Sequence, residues 1–276
     1  MMDWKNIYRG LLMGITDLIP GVSGGTVAFI LGIYDRLLAA ISGFFSREWK
    51  KHIGFLIPLG IGIVAALVIF SRLIDYLLEH HLEPTQFFFM GLILGVVPFI
   101  FKEANAKQNF KASHIIALII VGALLASLGF IKPDEAAEPI TTLTFPNAIG
   151  LFFAGWLASM AMLLPGISGS FILLLLGVYT TAIRALKDFN IPLVIVIGAG
   201  VIIGFIVSSK AIRYLLSNFK YMTYAIIIGL IFGSFFVMFP GVPHGSSLYL
   251  SIATFIIGLA FSLWFSSDKM TKKEHK

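Results

Sequence analysis

The chain predicts an all-α polytopic membrane protein made of two copies of one unit, residues 1–138 and 139–276, the second copy inverted in the membrane. Three observations carry that prediction. Hydrophobic residues make up 58% of the 276 and charged residues only 12%, against roughly 25% charged in soluble domains, and mean hydropathy is +0.94. Residues 139–183 and 221–267 hold no Asp, Glu, Lys or Arg, and a spanning helix needs only about 20 apolar residues. A short phrase, Pro20-Gly21-Val22-Ser23-Gly24-Gly25, recurs as Pro165-Gly166-Ile167-Ser168-Gly169-Ser170, each time followed by an apolar run.

Each half reads as five apolar segments, at 6–19, 22–44, 54–78, 85–101 and 112–131, then at 146–164, 167–184, 190–209, 221–239 and 247–266. Asp3, Lys5 and Arg9 precede the first. That start superficially resembles a secretory leader, but no small-residue cleavage site follows Pro20, so it is read as mature protein. The match between halves extends well beyond the phrase. Gly32 and Tyr34 fall on Gly177 and Tyr179, Gly10 falls on Gly155, and Ile57-Pro58-Leu59 resembles Ile191-Pro192-Leu193. Ser71 to Leu78 resembles Ser209 to Leu216, placing Arg72 on Lys210, and Gly91-Leu92-Ile93 with Gly95 matches Gly229-Leu230-Ile231 with Gly233. An ordered series of this kind marks an internal duplication.

Five segments is an odd number, so the second copy must run through the membrane the other way. Loop charges support this, because cytoplasmic loops collect Lys and Arg. Arg47, Lys50 and Lys51, then Lys102, Lys107 and Lys111, then Lys210, Arg213 and Lys220, and finally Lys269, Lys272, Lys273 and Lys276 fall on one side if the segments alternate. The acidic stretches around Asp75, Glu79 and Glu83, and around Asp134, Glu135 and Glu138, fall on the other. Both termini are then cytoplasmic. Arg184, Lys187 and Asp188 are the exception, on the outer side. This distribution explains the net charge of +6 as membrane orientation, with no nucleic-acid partner implied.

The first two segments of each half either span fully, which puts the two turns at opposite surfaces, or form re-entrant hairpins whose turns meet near the midplane. Both leave the loop sides unchanged. Apolar turns and segments broken by Pro and Gly favour hairpins, and non-helical backbone at that depth must be buried in protein or line a wet cavity. Broken segments at corresponding positions of two inverted halves point to a transport site.

The phrase suits an anion. Gly21 supplies backbone freedom, and Ser23, Gly24, Gly25 and Thr26 offer a hydroxyl and closely spaced N–H groups where a helix begins, a place that attracts phosphate or carboxylate. Gly166, Ser168, Gly169 and Ser170 offer the same in the second copy. The competing reading is that Gly and Ser only let helices pack closely. Arg72 and Lys210, at equivalent positions, would place one cation towards each face, either for a lipid phosphate or simply snorkelling to the interface. Asp17 precedes the first turn, where a carboxylate in lipid is costly enough to make it a candidate for proton or cation coupling; its repeat partner, Met162, carries no charge. Asp35 and Arg36 read as a local ion pair. His80 and His81 with Glu83 read as a solvated acidic loop and not as metal ligands. The absence of cysteine removes thiolate sites and thiol nucleophiles, and no cofactor is expected.

Gly14-Ile15-Thr16-Asp17-Leu18-Ile19-Pro20-Gly21-Val22-Ser23-Gly24-Gly25-Thr26, the second phrase Leu164 to Ser170 and the chain length resemble the PopT family of bacterial polyprenyl-phosphate translocases, and the resemblance covers essentially the whole chain. It implies the return of undecaprenyl phosphate, the lipid carrier of cell-wall sugars, from the outer to the inner leaflet of the cytoplasmic membrane. Two alternatives stay open. Undecaprenyl-diphosphate phosphatases are similar in repeating a Pro-Gly-x-Ser phrase, but theirs is followed by Arg, where this chain has Gly24 and Gly169, and they carry acidic residues within the membrane. CLC-type anion transporters also combine inverted repeats with Gly-Ser-rich helix starts. The coupling ion and the oligomeric state are not readable from these residues.

Overall fold

A computed structural model describes residues 2–19, 23–44, 46–47, 49–130 and 139–274. Every regular element among them is a helix. The first half contains α1 (Asn6–Asp17), α2 (Gly24–Ile30), α3 (Tyr34–Gly43), α4 (Trp49–His80), α5 (Leu82–Glu103), the one-turn α6 (Ala106–Asn109) and α7 (Ala112–Leu128). The second contains α8 (Phe145–Leu163), α9 (Gly169–Leu175), α10 (Tyr179–Lys187), α11 (Ile191–Asn218), α12 (Lys220–Met238) and α13 (Ser246–Glu274). Helices α4, α5, α8, α11 and α12 and the Ser247–Trp264 stretch of α13 are long and apolar enough to cross a membrane. Their outward side chains include Val68 and Ile69 on α4 and Ile195 on α11, more than 60% exposed. Apolar faces of that extent suit lipid and would be costly in water.

The structure departs from the ten expected segments in one systematic way. The second segment of each half is two helices, because Gly32 and Gly177 stop α2 and α9 with φ of +59° and +68°. Only glycine adopts this backbone without steric cost. The two stops share one hydrogen-bond pattern. Ile33 N–H bonds Ala28 C=O and Gly32 N–H bonds Phe29 C=O; Val178 N–H bonds Leu173 C=O and Gly177 N–H bonds Leu174 C=O. This double closure satisfies the last carbonyls of a helix before the chain turns away. Between α9 and α10 the axis bends by 111°.

Packing recurs in the same order. Helix α1 lies along α4 and α8 along α11. Gly10 has no room for a Cβ against the Leu59 carbonyl, and Gly155 has none against that of Ile197. Small residues at such places let backbones approach closely, which is how helices associate where lipid replaces water. The fifth-segment helices are exchanged: α13 packs on α5 of the first half, and α7 packs on α12 of the second. Gly91 meets the Phe255 carbonyl and Gly229 meets that of Leu118. Between these pairs α5 crosses α12, with Ile93, Val96, Ile100, Ile228 and Ile231 all fully buried.

The correspondence fails at the broken second segments. Helix α3 packs along α11, but α10 makes no comparable contact with α4. Every residue of α2 is buried, whereas α9 buries only Gly169.

Candidate functional site

The two copies of the phrase meet, and the meeting is made by side chains of the first bonding backbone of the second. Ser23 caps α2, its Oγ accepting from Gly25 N–H at 3.1 Å. The same hydroxyl donates towards the carbonyls of Leu164 at 3.1 Å and Met162 at 3.3 Å. Gly166 N–H donates to Thr26 Oγ1 at 3.0 Å, and Tyr34 O–H donates to Leu163 C=O at 2.9 Å. The last turn of α8 therefore ends on carbonyls that α2 and α3 satisfy. Such groups need partners, since a buried carbonyl or N–H left unbonded costs about 1–3 kcal/mol. Ser23, Thr26, Tyr34 and Ser168 are each no more than 5% exposed.

Gly25 sits under the Leu163 carbonyl, where a Cβ would come within 3.0 Å. Gly166 has φ of +90°, and a Cβ there would strike the Leu230 backbone of α12. Small residues in the phrase are thus required by close backbone approach, as the packing reading supposed. The donors expected for an anion are already engaged by oxygens of the protein itself. Asp17 Oδ1 accepts from Gly24 N–H at 2.8 Å, so a carboxylate of the protein itself occupies the helix start. In the second copy Ser168 Oγ and Ser170 Oγ lie 2.7 Å apart, and Gly169 packs against Met162.

The remaining residues picked out in the sequence are placed differently. Gly21, with Pro20 and Val22, lies outside the described residues. Lys210 is exposed and lines a cavity of about 530 Å³ with Asp35, Arg213, Tyr214 and Ser217. Lys210, Arg213, Tyr214 and Ser217 share one face of α11 by their three- and four-residue spacing. Arg72, its repeat partner, is exposed on α4 and lines none of the cavities described here. Arg36 pairs with Asp3 at 2.8 Å, because the N-terminal segment folds back onto α4 through Asp3 N–H and Gly54 C=O. His80, His81 and Glu83 line a cavity of about 500 Å³ with Ser247, whose hydroxyl donates to Glu83. Among the described residues no group of three His, Cys, Asp or Glu is arranged to hold a metal ion.

Sequence reasoning missed two contacts that join distant parts of the chain. Tyr34 stacks on Phe29 with ring centroids 3.9 Å apart and closes the turn of α8. It lines a second cavity of about 200 Å³ with Asp35, Glu103 and Tyr224, so Asp35 borders both this cavity and the Lys210 one. Arg213 Nη1 donates to Ser42 Oγ at 2.8 Å, tying α11 to α3. The Gly-x-Tyr match after each phrase signalled the first of these; nothing local signalled the second.

An all-helical bundle with several helices long and apolar enough to cross a membrane, and two broken segments joined by hydrogen bonds, has the build of a multi-pass membrane protein, and its relatives place it in the transporter class. The chain belongs to the VCA0040-like, undecaprenyl phosphate translocase-like family, whose model matches residues 13–256. It is 45% identical over 268 residues to a polyprenyl-phosphate transporter of Staphylococcus aureus, covering 94% of this chain and 95% of that protein. A polyprenyl-phosphate transporter of Vibrio cholerae is 36% identical over 254 residues, with 87% and 79% covered. An undecaprenyl-diphosphatase of Geobacillus thermodenitrificans is 25% identical over 240 residues, with 81% of each chain covered. No solved structure matches the chain significantly.

Proposed function

We propose that this protein translocates undecaprenyl phosphate across the cytoplasmic membrane, from the outer leaflet to the inner, so that the carrier lipid can be reused in envelope synthesis. The observation that carries this reading is the joint site, in which Ser23 and Thr26 of one turn bond the backbone of the other. Family membership supplies the substrate class. A lipid phosphate needs a polar route for its head only, since its tail can stay in lipid.

Inversion of the halves is part of the proposal. Helices α1 and α4 run in parallel, since Gly10 meets Leu59 and Gly14 meets Ala66; α8 and α11 do likewise, with Gly155 at Ile197 and Gly204 at Trp156. With the loop charges this supports cytoplasmic termini and an inverted second half; the broken, apolar first two segments of each half are read as re-entrant hairpins, one opening to each side. The first hairpin is docked on α11 and buried, while the second is not docked on α4. That asymmetry supports a state closed to the cytoplasm, with the outward opening beside α9 and α10. The head group would enter there, with Arg72 as an outer cation. It would engage the donors of Gly166, Ser168, Gly169 and Ser170, then those of Gly21, Ser23, Gly24, Gly25 and Thr26, and leave past Lys210.

Asp17 gives the cycle a coupling device. Its carboxylate and an anionic head group compete for Gly24 N–H, and protonation of Asp17 removes the like-charge repulsion and weakens its hold on that donor when the phosphate arrives. Exchange of the two docked states then gives alternating access.

The distant phosphatase relatives motivate an enzymatic reading, and one experiment separates the two. Purified protein in vesicles is given undecaprenyl diphosphate or undecaprenyl phosphate. Translocation without release of inorganic phosphate is expected. Phosphate release from the diphosphate, without leaflet transfer of the monophosphate, would replace this proposal with hydrolysis.

A further inference from the structure

Beside the joined turns lies a cleft of about 210 Å³ between α1, α2, α5 and α13, walled by Leu12, Thr16, Val27, Ile30, Phe88 and Phe261 among others. Its lining is apolar throughout. The one hydroxyl, that of Thr16, is turned back to its own helix, donating to Met13 C=O at 2.7 Å. An apolar cavity does not hold ordered water, and one of about 150 Å³ accommodates a six-carbon ring. This cleft is large enough for one or two five-carbon units.

Two features say what enters it. The first is position. Thr16 precedes Asp17, whose carboxylate bonds Gly24 N–H. Val27 follows Thr26, whose hydroxyl bonds Gly166 N–H. The cleft thus begins one residue away from both contacts of the joined turns. The second is access. Phe261 is 40% exposed and belongs to the apolar Ser247–Trp264 stretch, and Leu12 and Ile15 are half-buried, so the cleft opens sideways between α1 and α13 onto an apolar surface.

We propose that this cleft is the tail subsite of the transporter and receives the phosphate-proximal isoprene units of a polyprenyl phosphate. The inference rests on the reading of the joined turns as the head-group site. A phosphate ester has its first carbons within a few bonds of the head, so a head held at those turns must place them nearby. Among the cavities described here this is the apolar one that touches the turns. The aromatic side chains of Phe88 and Phe261 in this wall are polarisable neighbours for alkene carbons, which a saturated phospholipid chain lacks. Discrimination for an isoprenoid tail would reside in this wall, and the remainder of the tail would leave past Phe261 into lipid.

Photocrosslinking tests the assignment without requiring that the cleft be disrupted. p-Benzoylphenylalanine replaces Leu12 or Phe261 in the cleft, or Ile119 or Ile195, which are exposed on α7 and α11. Each variant is reconstituted in phosphatidylethanolamine and phosphatidylglycerol vesicles containing a small fraction of undecaprenyl phosphate. The expected result is that adducts at Leu12 and Phe261 are enriched in undecaprenyl phosphate about tenfold over its share of the lipid, equivalent to about 1.4 kcal/mol of preference. Adducts at the other two positions should follow bulk composition. Equal composition at all four positions overturns the tail subsite. Leaflet transfer by the unmodified protein is measured in the same vesicles. Its absence would refute the transport reading itself, whereas transfer with unselective crosslinks would refute only the cleft.

Discussion

The backbone N–H of Gly166 donates to the side chain of Thr26, two residues that stand in different copies of one duplicated phrase and are both buried. The bond makes the second turn dependent on the first. Thr26→Val keeps the shape and removes the acceptor, leaving the Gly166 donor unbonded at a cost of about 1–3 kcal/mol. Thermal unfolding in detergent should show that loss for Thr26→Val and little change for Thr26→Ser. Equal stability of all three proteins would mean that the turns are not coupled through this bond.

Ser23 is the second strut of the joint. A bulky apolar residue there would collide with the Met162–Leu164 backbone, so Ser23→Ala is the informative variant. It removes both the cap on Gly25 N–H and the bond to Leu164, and a lost helix cap costs about 1 kcal/mol. The variant should still insert, with transport reduced more than stability when initial rates are divided by folded protein. A rate that merely tracks the amount of folded protein would assign Ser23 to architecture alone.

Asp17 separates fold from coupling. Asp17→Asn preserves an oxygen for Gly24 N–H but carries no charge to protonate. Transport by the natural chain should respond to an imposed pH gradient across the vesicle, and transport by Asp17→Asn should not, with comparable folding of the two. An unchanged response in the variant would remove Asp17 from the coupling step.

The docked hairpin can be locked. The chain has no cysteine, so Ser42→Cys with Arg213→Cys creates the only two thiols, at positions whose natural side chains touch at 2.8 Å. A short bifunctional thiol reagent should reduce transport about tenfold or more, corresponding to at least about 1.4 kcal/mol on the barrier, and each single-cysteine protein should be unaffected. Full transport in a protein shown to be crosslinked would mean that α3 need not leave α11.

Much of this arrangement was legible in the residues. The helix class followed from the apolar runs, because lipid forces every spanning backbone into a helix, and the repeated phrase singled out the two turns that the structure brings together. The breaks at Gly32 and Gly177 were visible as matched glycines, but a glycine reports a positive φ only once the chain is seen to turn there. Contacts that join distant parts were not legible. Nothing in the sequence ties Arg213 to Ser42, or the Tyr34 hydroxyl to Leu163, because these depend on how α3 approaches α11 and α8. Asp17 stood out as a costly charge, yet its actual partner, the Gly24 N–H, belongs to the very group of donors read as free for an anion.

The central claim is that the joined turns carry a polyprenyl phosphate between leaflets, and sided transfer measures it most directly. Labelled undecaprenyl phosphate is placed in one leaflet of vesicles holding the purified protein, and its accessibility to an impermeant phosphatase is followed over time. The account expects protein-dependent loss of accessibility, with labelled phosphatidylglycerol left in place. Undecaprenyl phosphate that stays in its original leaflet, in vesicles where the protein is folded and inserted, would contradict it.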